Sequence, residues 1–170
     1  MSDLFHERIP NDFIQQVFDT MGEASQHTFQ ILTKRHERLA ELAPELSWHP
    51  NVWMGVSIEN RRFVHRADYL RQVDAAVRFI SAEPLLGSLE GLDLSGIDWL
   101  IAGGESGPKH RRVDPSWIRE LRDKCDADAV AFFFKQWGGR TSKHGGRTLD
   151  GKTWDELPIP RVPDVVGAAS

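Results

Sequence analysis

Five short, largely apolar runs recur along the chain: Thr28–Leu32, Val52–Val56, Val77–Ile80, Ile97–Ala102 and Ala129–Phe134. Each is rich in β-branched or aromatic residues and lacks a strict alternation of polar and apolar positions. Continuous runs of that kind predict strands buried on both faces, as in a parallel sheet. Helical periodicity fills most of the gaps. Asn11 is placed to cap a helix whose Phe13, Ile14, Val17, Phe18 and Met21 share one face before Gly22. A second helix runs from Arg35 to Ala43, carries Leu39 and Leu42, and stops at Pro44. Asn60 is placed to cap a third helix extending through Val73, with Phe63, Val64, Ala67, Leu70 and Val73 as its stripe. Asp114-Pro115 supplies a cap and a first-turn proline for a fourth, with Trp117, Ile118 and Leu121 inward. The stretch 85–96, with Gly87, Gly91 and Gly96, reads as a loop. Alternating strands and helices predict an α/β protein with a parallel sheet and right-handed crossovers. Five strands are too few to close an eight-stranded barrel, which leaves an open sheet or part of a barrel.

In parallel α/β folds ligands sit at the carboxyl ends of strands, so the residues following each run carry the first chemical information. They are Thr33, Lys34 and Arg35; Ser57, Glu59 and Asn60; Ser81, Glu83 and Pro84; Gly103, Gly104, Glu105 and Ser106; and Lys135, Gln136, Trp137 and Gly138. Every strand delivers a charged or hydrogen-bonding group to one face, and three deliver glutamates. Solvated loop ends carry such groups too, but the recurrence in five units favours a site.

Composition then narrows the classes. The chain has 170 residues, enough for one domain with a real core, and a formal net charge of −4. That balance disfavours a nucleic-acid binder driven by a basic overall surface, and leaves open a basic groove in an acidic protein. The one cysteine, Cys125, excludes an internal disulfide or a cysteine-rich metal site within this sequence. Its position late in a helix pattern reads as a buried thiol. No apolar run is long enough to span a bilayer and no signal peptide is visible, so cytoplasm is the default address and no membrane partner is expected. The seven histidines show neither H-x-H nor H-E-x-x-H spacing, and no metal site is expected. Gly146 to Thr153 matches the phosphate-loop pattern G-x-x-x-x-G-K-[ST] but lacks a strand before it and a helix after it, so it reads as a turn in a terminal hairpin. Gly103-Gly104-Glu105-Ser106-Gly107 suits either close approach to a ligand or a tight turn.

The strand-end strings also carry a resemblance. Met1 to Glu7, Thr28 to Arg35, Gly55 to Asn60, Phe79 to Gly87, Gly103 to Gly107, Phe133 to Gly138 and Leu149 to Trp154 together resemble, in order, the phage-associated gene-product 37/68 family, which is itself similar to radical-SAM enzymes. The resemblance covers residues 1–158. It implies a partial (β/α) barrel of about five parallel strands with outer helices, and the proline-rich, then small-residue composition beyond it predicts a flexible tail at 159–170. It also implies S-adenosylmethionine and a 4Fe–4S cluster for full-length family members, the cluster held by three cysteines in an N-terminal segment that this sequence lacks. Met1 then corresponds to an internal methionine, and a missing segment or split-gene partner is expected, without which the chain is inactive. By the same analogy Ser57 and Glu59 hold the cofactor, while Glu83, Glu105, Lys135 and Gln136 line the side of an unidentified substrate. Two other classes remain open from the residues themselves. One is a hydrolase using a pair of the strand-end glutamates. The other is a non-enzymatic phage module with an apolar patch at an open sheet edge.

Overall fold

The computed structural model describes residues 3–141 and 144–161. Its core is one five-stranded sheet of β1 (Phe29–Thr33), β2 (Val52–Ser57), β3 (Val77–Ala82), β4 (Trp99–Gly103) and β5 (Ala131–Gln136), all parallel and in sequential order. The helices α1 (Asn11–Glu23), α2 (His36–Leu42), α3 (Arg66–Leu70) and α4 (Pro115–Ala127) each contribute buried apolar residues to one cluster. That cluster takes Val52, Met54 and Val56 of β2, Ile80 and Ala82 of β3, Leu100 and Ala102 of β4, and Phe132 and Phe134 of β5. One face of the sheet is therefore sheathed in helices, and the order has no switch point. That is the winding of a barrel wall rather than of a doubly wound sheet. The sheet is not closed, as in a partial barrel.

Because side chains alternate along a strand, the residues skipped by the helix layer line the other face. A smaller cluster of Val77, Phe79 and Trp99 forms there, with Leu32, Trp53, Ile101, Ala131 and Phe133 half-buried against it. The continuous runs predicted strands buried on both faces. That holds for Val77, Phe79 and Trp99, while Leu32, Trp53, Ile101, Ala131 and Phe133 keep partial exposure on a face that no helix layer covers. Gly55 makes room on this face: a Cβ there would collide with the Phe79 ring.

Three local expectations are corrected. Phe13, expected on the apolar face of α1, is exposed, and the buried residues of that helix are Ile14, Phe18 and Met21. The α1 cap is Pro10, not Asn11. Pro10 is already extended, so the helix begins one residue earlier than expected, and the Asn11 side chain instead accepts a hydrogen bond from Arg38 at 2.8 Å. The single helix expected from Asn60 to Val73 is broken in two. Asn60 does cap, accepting from the Arg62 amide at 3.0 Å, but it caps one 3₁₀ turn at Arg61–Phe63, and α3 follows separately. The 85–96 loop, the Asp114-Pro115 start of α4 and the hairpin turn at Leu149–Lys152 are as expected. In that turn Asp150 and Gly151 both have positive φ, the backbone of a tight hairpin and not of a phosphate loop.

The C-terminal segment turns back along the free edge of β5. Phe133 bridges Asp155 in antiparallel fashion, and the Glu156 amide donates to the Phe132 carbonyl. Pairing of this kind protects a sheet edge. The Trp99 indole donates to the Glu156 carbonyl at 2.9 Å. Of the expected tail, Arg161 is tied to Asp98 and to the Gly96 carbonyl, while 162–170 lie outside the described residues, as does Met1. Among the described residues no helix is long and apolar enough to cross a membrane.

Cys125 sits on the inward side of α4, fully buried, and burial pushes its thiol up to about 12. A thiol so protonated and covered is a poor nucleophile. We expect no reaction with an aromatic disulfide reagent in the native protein, and one full equivalent of released thiolate on unfolding in guanidinium. Rapid native labelling would contradict this placement.

Candidate functional site

All five strands end at the same edge of the sheet, and inner-face parity continues past each strand into the polar residues. Counting by twos from Trp53 gives Gly55, Ser57 and Glu59; from Val77 it gives Phe79, Ser81 and Glu83; from Leu32 it gives Lys34. Ser57 and Ser81 are register partners on β2 and β3. The inner face thus passes from an aromatic floor, through a step of two neighbouring serines, to a charged rim.

The rim divides into three groups. In the first, Glu59 is buried and held from two sides. Lys34 bonds one carboxylate oxygen, and Arg66 donates to the other at 3.2 Å while also donating to the Ser57 carbonyl at 2.6 Å. The Arg66 guanidinium lies 4.2 Å from the Phe63 ring centre. Asp3 fixes the end of β1 by accepting from the Thr33 hydroxyl at 2.7 Å and from the Lys34 amide at 3.0 Å. In the second group Glu83 accepts from Lys135 at 2.8 Å and from the Gln136 amide at 3.2 Å, and that amide also reaches the Ser106 hydroxyl at 3.0 Å. Adjacent strand residues normally point to opposite faces. Here the register skips Lys135 between the pairs Ala102–Phe134 and Gly103–Gln136, and this bulge lets both neighbours address one carboxylate.

The third group stands apart. Glu105 receives the Arg111 side chain at 2.9 and 2.6 Å and the Arg111 amide at 2.7 Å. These hydrogen bonds hold its carboxyl far below the usual range, at about 2. Glu105 is therefore an anion throughout the physiological range, suited to fixing a loop and not to donating a proton.

Gly104 after β4 and Gly138 after β5 serve close backbone approach within the protein. A Cβ on Gly104 would overlap the Trp137 carbonyl oxygen, and one on Gly138 would overlap that of Glu105. The two exits are laced together by the Gly104 amide to Gln136, Gly139 to Glu105 and Gly107 to Gly139. Trp137 packs on Phe134 with ring centres 4.7 Å apart and donates to the Thr148 carbonyl at 2.8 Å.

Sequence reasoning located Ser57, Glu59, Glu83, Glu105, Lys135 and Gln136 at one end of the sheet, and the structure brings Glu83, Lys135 and Gln136 into direct contact. It missed Arg66, which the helical stripe places among solvent-facing positions, and Ser81, which was noted only as a strand-end residue. Arg66 is the more informative. Its Nε is buried with no hydrogen-bond partner among the described residues, whereas the Ser57 and Ser81 side chains, on largely buried residues, keep hydroxyls that are not sealed from solvent. Buried donors are rarely left unpaired, because each one costs about 1–3 kcal/mol.

Two cavities lie elsewhere. One of about 610 Å³ opens at the strand-start end beside Asp98, Cys125 and Pro158; another of about 360 Å³ lies between Leu89–Asp93 and Glu120–Lys124. Neither contains a rim residue. Among the described residues no three His, Cys, Asp or Glu side chains converge as a metal ion would require.

One family model matches the chain, over residues 1–158; the family is described as Protein of unknown function (DUF5131). No curated protein and no solved structure matches.

Proposed function

The chain belongs to the DUF5131 family of proteins of unknown function, and on that premise we propose that it is the C-terminal portion of a phage-type, radical-SAM-like protein: a half-barrel that holds S-adenosylmethionine at its strand-exit face and does not cleave it alone. The observation that carries this reading is the placement of two neighbouring serines, Ser57 and Ser81, with the buried Glu59 carboxylate and the unpaired Arg66 Nε at the end of parallel strands. A nucleoside ligand offers what such a set lacks. Vicinal ribose hydroxyls pair well with a strand-end carboxylate, as in other α/β nucleotide sites, and serine hydroxyls add a donor and an acceptor each. In this reading Ser57 and Glu59 bind the ribose or amino-acid part of the cofactor, and Lys34 and Arg66 orient the Glu59 carboxylate. Glu83, Lys135 and Gln136 line the substrate side, with Glu105 anchoring the neighbouring loop through Arg111.

The iron–sulfur cluster implied for full-length relatives does not fit the residues present. Such a cluster, with one iron left open for the cofactor, needs three thiolates. The chain's one cysteine is buried in the helix layer, away from the rim. No cleavage step is therefore assigned to this chain.

Titration calorimetry with S-adenosylmethionine and S-adenosylhomocysteine tests the proposal. The expected result is saturable binding of both, with Glu59→Gln weakening it about 10- to 100-fold. That is the loss for one hydrogen bond to a charged group at about 1.5–3 kcal/mol. Ser57→Ala should weaken it less. Absence of binding, or equal affinity in Glu59→Gln, would overturn it.

A further inference from the structure

The net charge of −4 conceals a strong polarity along the strand axis. The described segments that leave the strands, 34–35, 58–65, 83–90, 104–114, 135–141 and 144–147, carry ten of the 21 Lys and Arg residues but only five of the 25 Asp and Glu. The segments that lead into the strands, 23–28, 43–51, 71–76, 91–98 and 123–130, carry two Lys or Arg and eight Asp or Glu. One end of the half-barrel is thus basic and the other acidic.

Four of the five carboxylates of the basic end face cations: Lys34 and Arg66 hold Glu59, Lys135 holds Glu83, Arg61 stands 4.0 Å from Glu90 and Arg111 holds Glu105. Asp114 caps α4 through the Ser116 amide, and Arg147 pairs with Asp155. What is left over is Arg35 after β1, Arg62 after β2, Lys109 and Arg112 after β4, and Arg140 after β5. All five are exposed, and none forms an ion pair among the described residues. They come from four strand exits, two on each side of the cation-free β3 exit, and flank the open inner face, whose Phe133 is only half-buried beneath the rim.

We propose that this rim is a nucleic-acid-binding surface, the five free cations contacting backbone phosphates independently of sequence. A ring of loops carrying uncompensated cations focuses a positive potential over the concave face, and the acidic opposite end orients the molecule as it approaches a polyanion. An anionic membrane is the less suitable occupant. Membrane-surface binding joins cations to exposed apolar anchors on one amphipathic element, whereas the two most exposed large apolar side chains, Leu157 and Ile159, lie with the cavity at the acidic end. The inference goes beyond the cofactor reading and does not depend on it, since none of the five cations contacts Ser57, Glu59 or Glu83.

Fluorescence anisotropy with labelled single-stranded and duplex oligonucleotides tests it without any cofactor present. Five phosphate contacts predict a log–log salt slope of about −3.5 for a single strand, hence an affinity loss of about 100-fold between 50 and 200 mM salt. Arg35→Gln, Arg62→Gln, Lys109→Gln, Arg112→Gln and Arg140→Gln combined should weaken binding at least about 10-fold and flatten the slope. Lys124→Gln, at the acidic end, should leave both unchanged. Thermal unfolding checks that the combined variant is folded, and the single variants Arg62→Gln and Arg112→Gln should each lower the slope by about 0.7. No binding of either oligonucleotide at 50 mM salt, undiminished binding by the folded combined variant, or binding to phosphatidylserine vesicles without binding to nucleic acid would each overturn the proposal.

Discussion

Arg66→Met should lower the stability of the protein by about 3 kcal/mol, the low end of what is lost when one partner of a buried ion pair is removed. For a chain of this size that corresponds to a fall of about 10 °C in the unfolding midpoint. The cause is specific. Arg66 is among the few charged residues buried in the structure, and it serves two acceptors, the Glu59 carboxylate and the Ser57 carbonyl. Methionine fills a similar volume but leaves the carbonyl unpaired and Glu59 dependent on Lys34, whose side chain is half-exposed. The unpaired Nε offsets part of the loss, since its removal relieves a buried orphan donor. Lysine at position 66 should not restore the wild-type value. It cannot span both acceptors in one plane or lie flat on Phe63. Calorimetric unfolding decides the matter, and a change below about 1 kcal/mol would mean that the pair contributes little more than a surface one.

Gly104→Ala should be at least as damaging, at about 3 kcal/mol, the upper part of the range for forced overpacking. The new methyl group would overlap a backbone oxygen, that of Trp137, which has no freedom to rotate away. Relief requires the exits of β4 and β5 to separate. That breaks the Gly104 amide to Gln136 carbonyl bond and moves the Gln136 side chain off Glu83 and Ser106. Gly151→Ala provides the contrast. Gly151 has φ of 84° but open space around it, so the cost there is conformational and closer to about 1 kcal/mol. Urea unfolding of both variants should rank Gly104 first. The reverse order would show that the two exits are not packed backbone to backbone.

What the chain's pattern revealed, and what it hid, follows from the range of the forces involved. The strands were legible because burial against a helix layer demands continuous apolar runs, and Val52–Val56 or Phe132–Phe134 satisfy no other simple element. The site's position was legible because parity carries Ser57 to Glu59 and Ser81 to Glu83 on one face. Arg66 was not, because its burial is created by a carboxylate seven residues away, and a helical stripe counts only apolar positions. The broken helix after Asn60 has the same origin. The chain turns twice to bring Arg66 beneath Glu59, and that need is invisible in the spacing of Phe63, Ala67 and Leu70. Nor does the sequence betray the bulge that turns Lys135 and Gln136 toward one partner, since it exists only in the register of two paired strands. The glycines of Gly103 to Gly107 left two readings open, a ligand or a turn. The crossing of two backbones supplied a third physical reason for one of them, Gly104. The net charge hid the polarity for a related reason: a sum over the chain cannot register that acids gather before the strands and cations after them.

The central claim is that the rim around Ser57, Ser81 and Glu59 is a binding site. Amide chemical-shift mapping during titration of the ¹⁵N-labelled protein with S-adenosylhomocysteine tests it most directly. The account predicts saturable shifts concentrated at Ser57–Asn60, Ser81–Glu83, Gly103–Gly104 and the neighbouring Arg66. Shifts confined to Asp98, Cys125 and Val130, around the cavity at the opposite end, or no shifts at all, would contradict it.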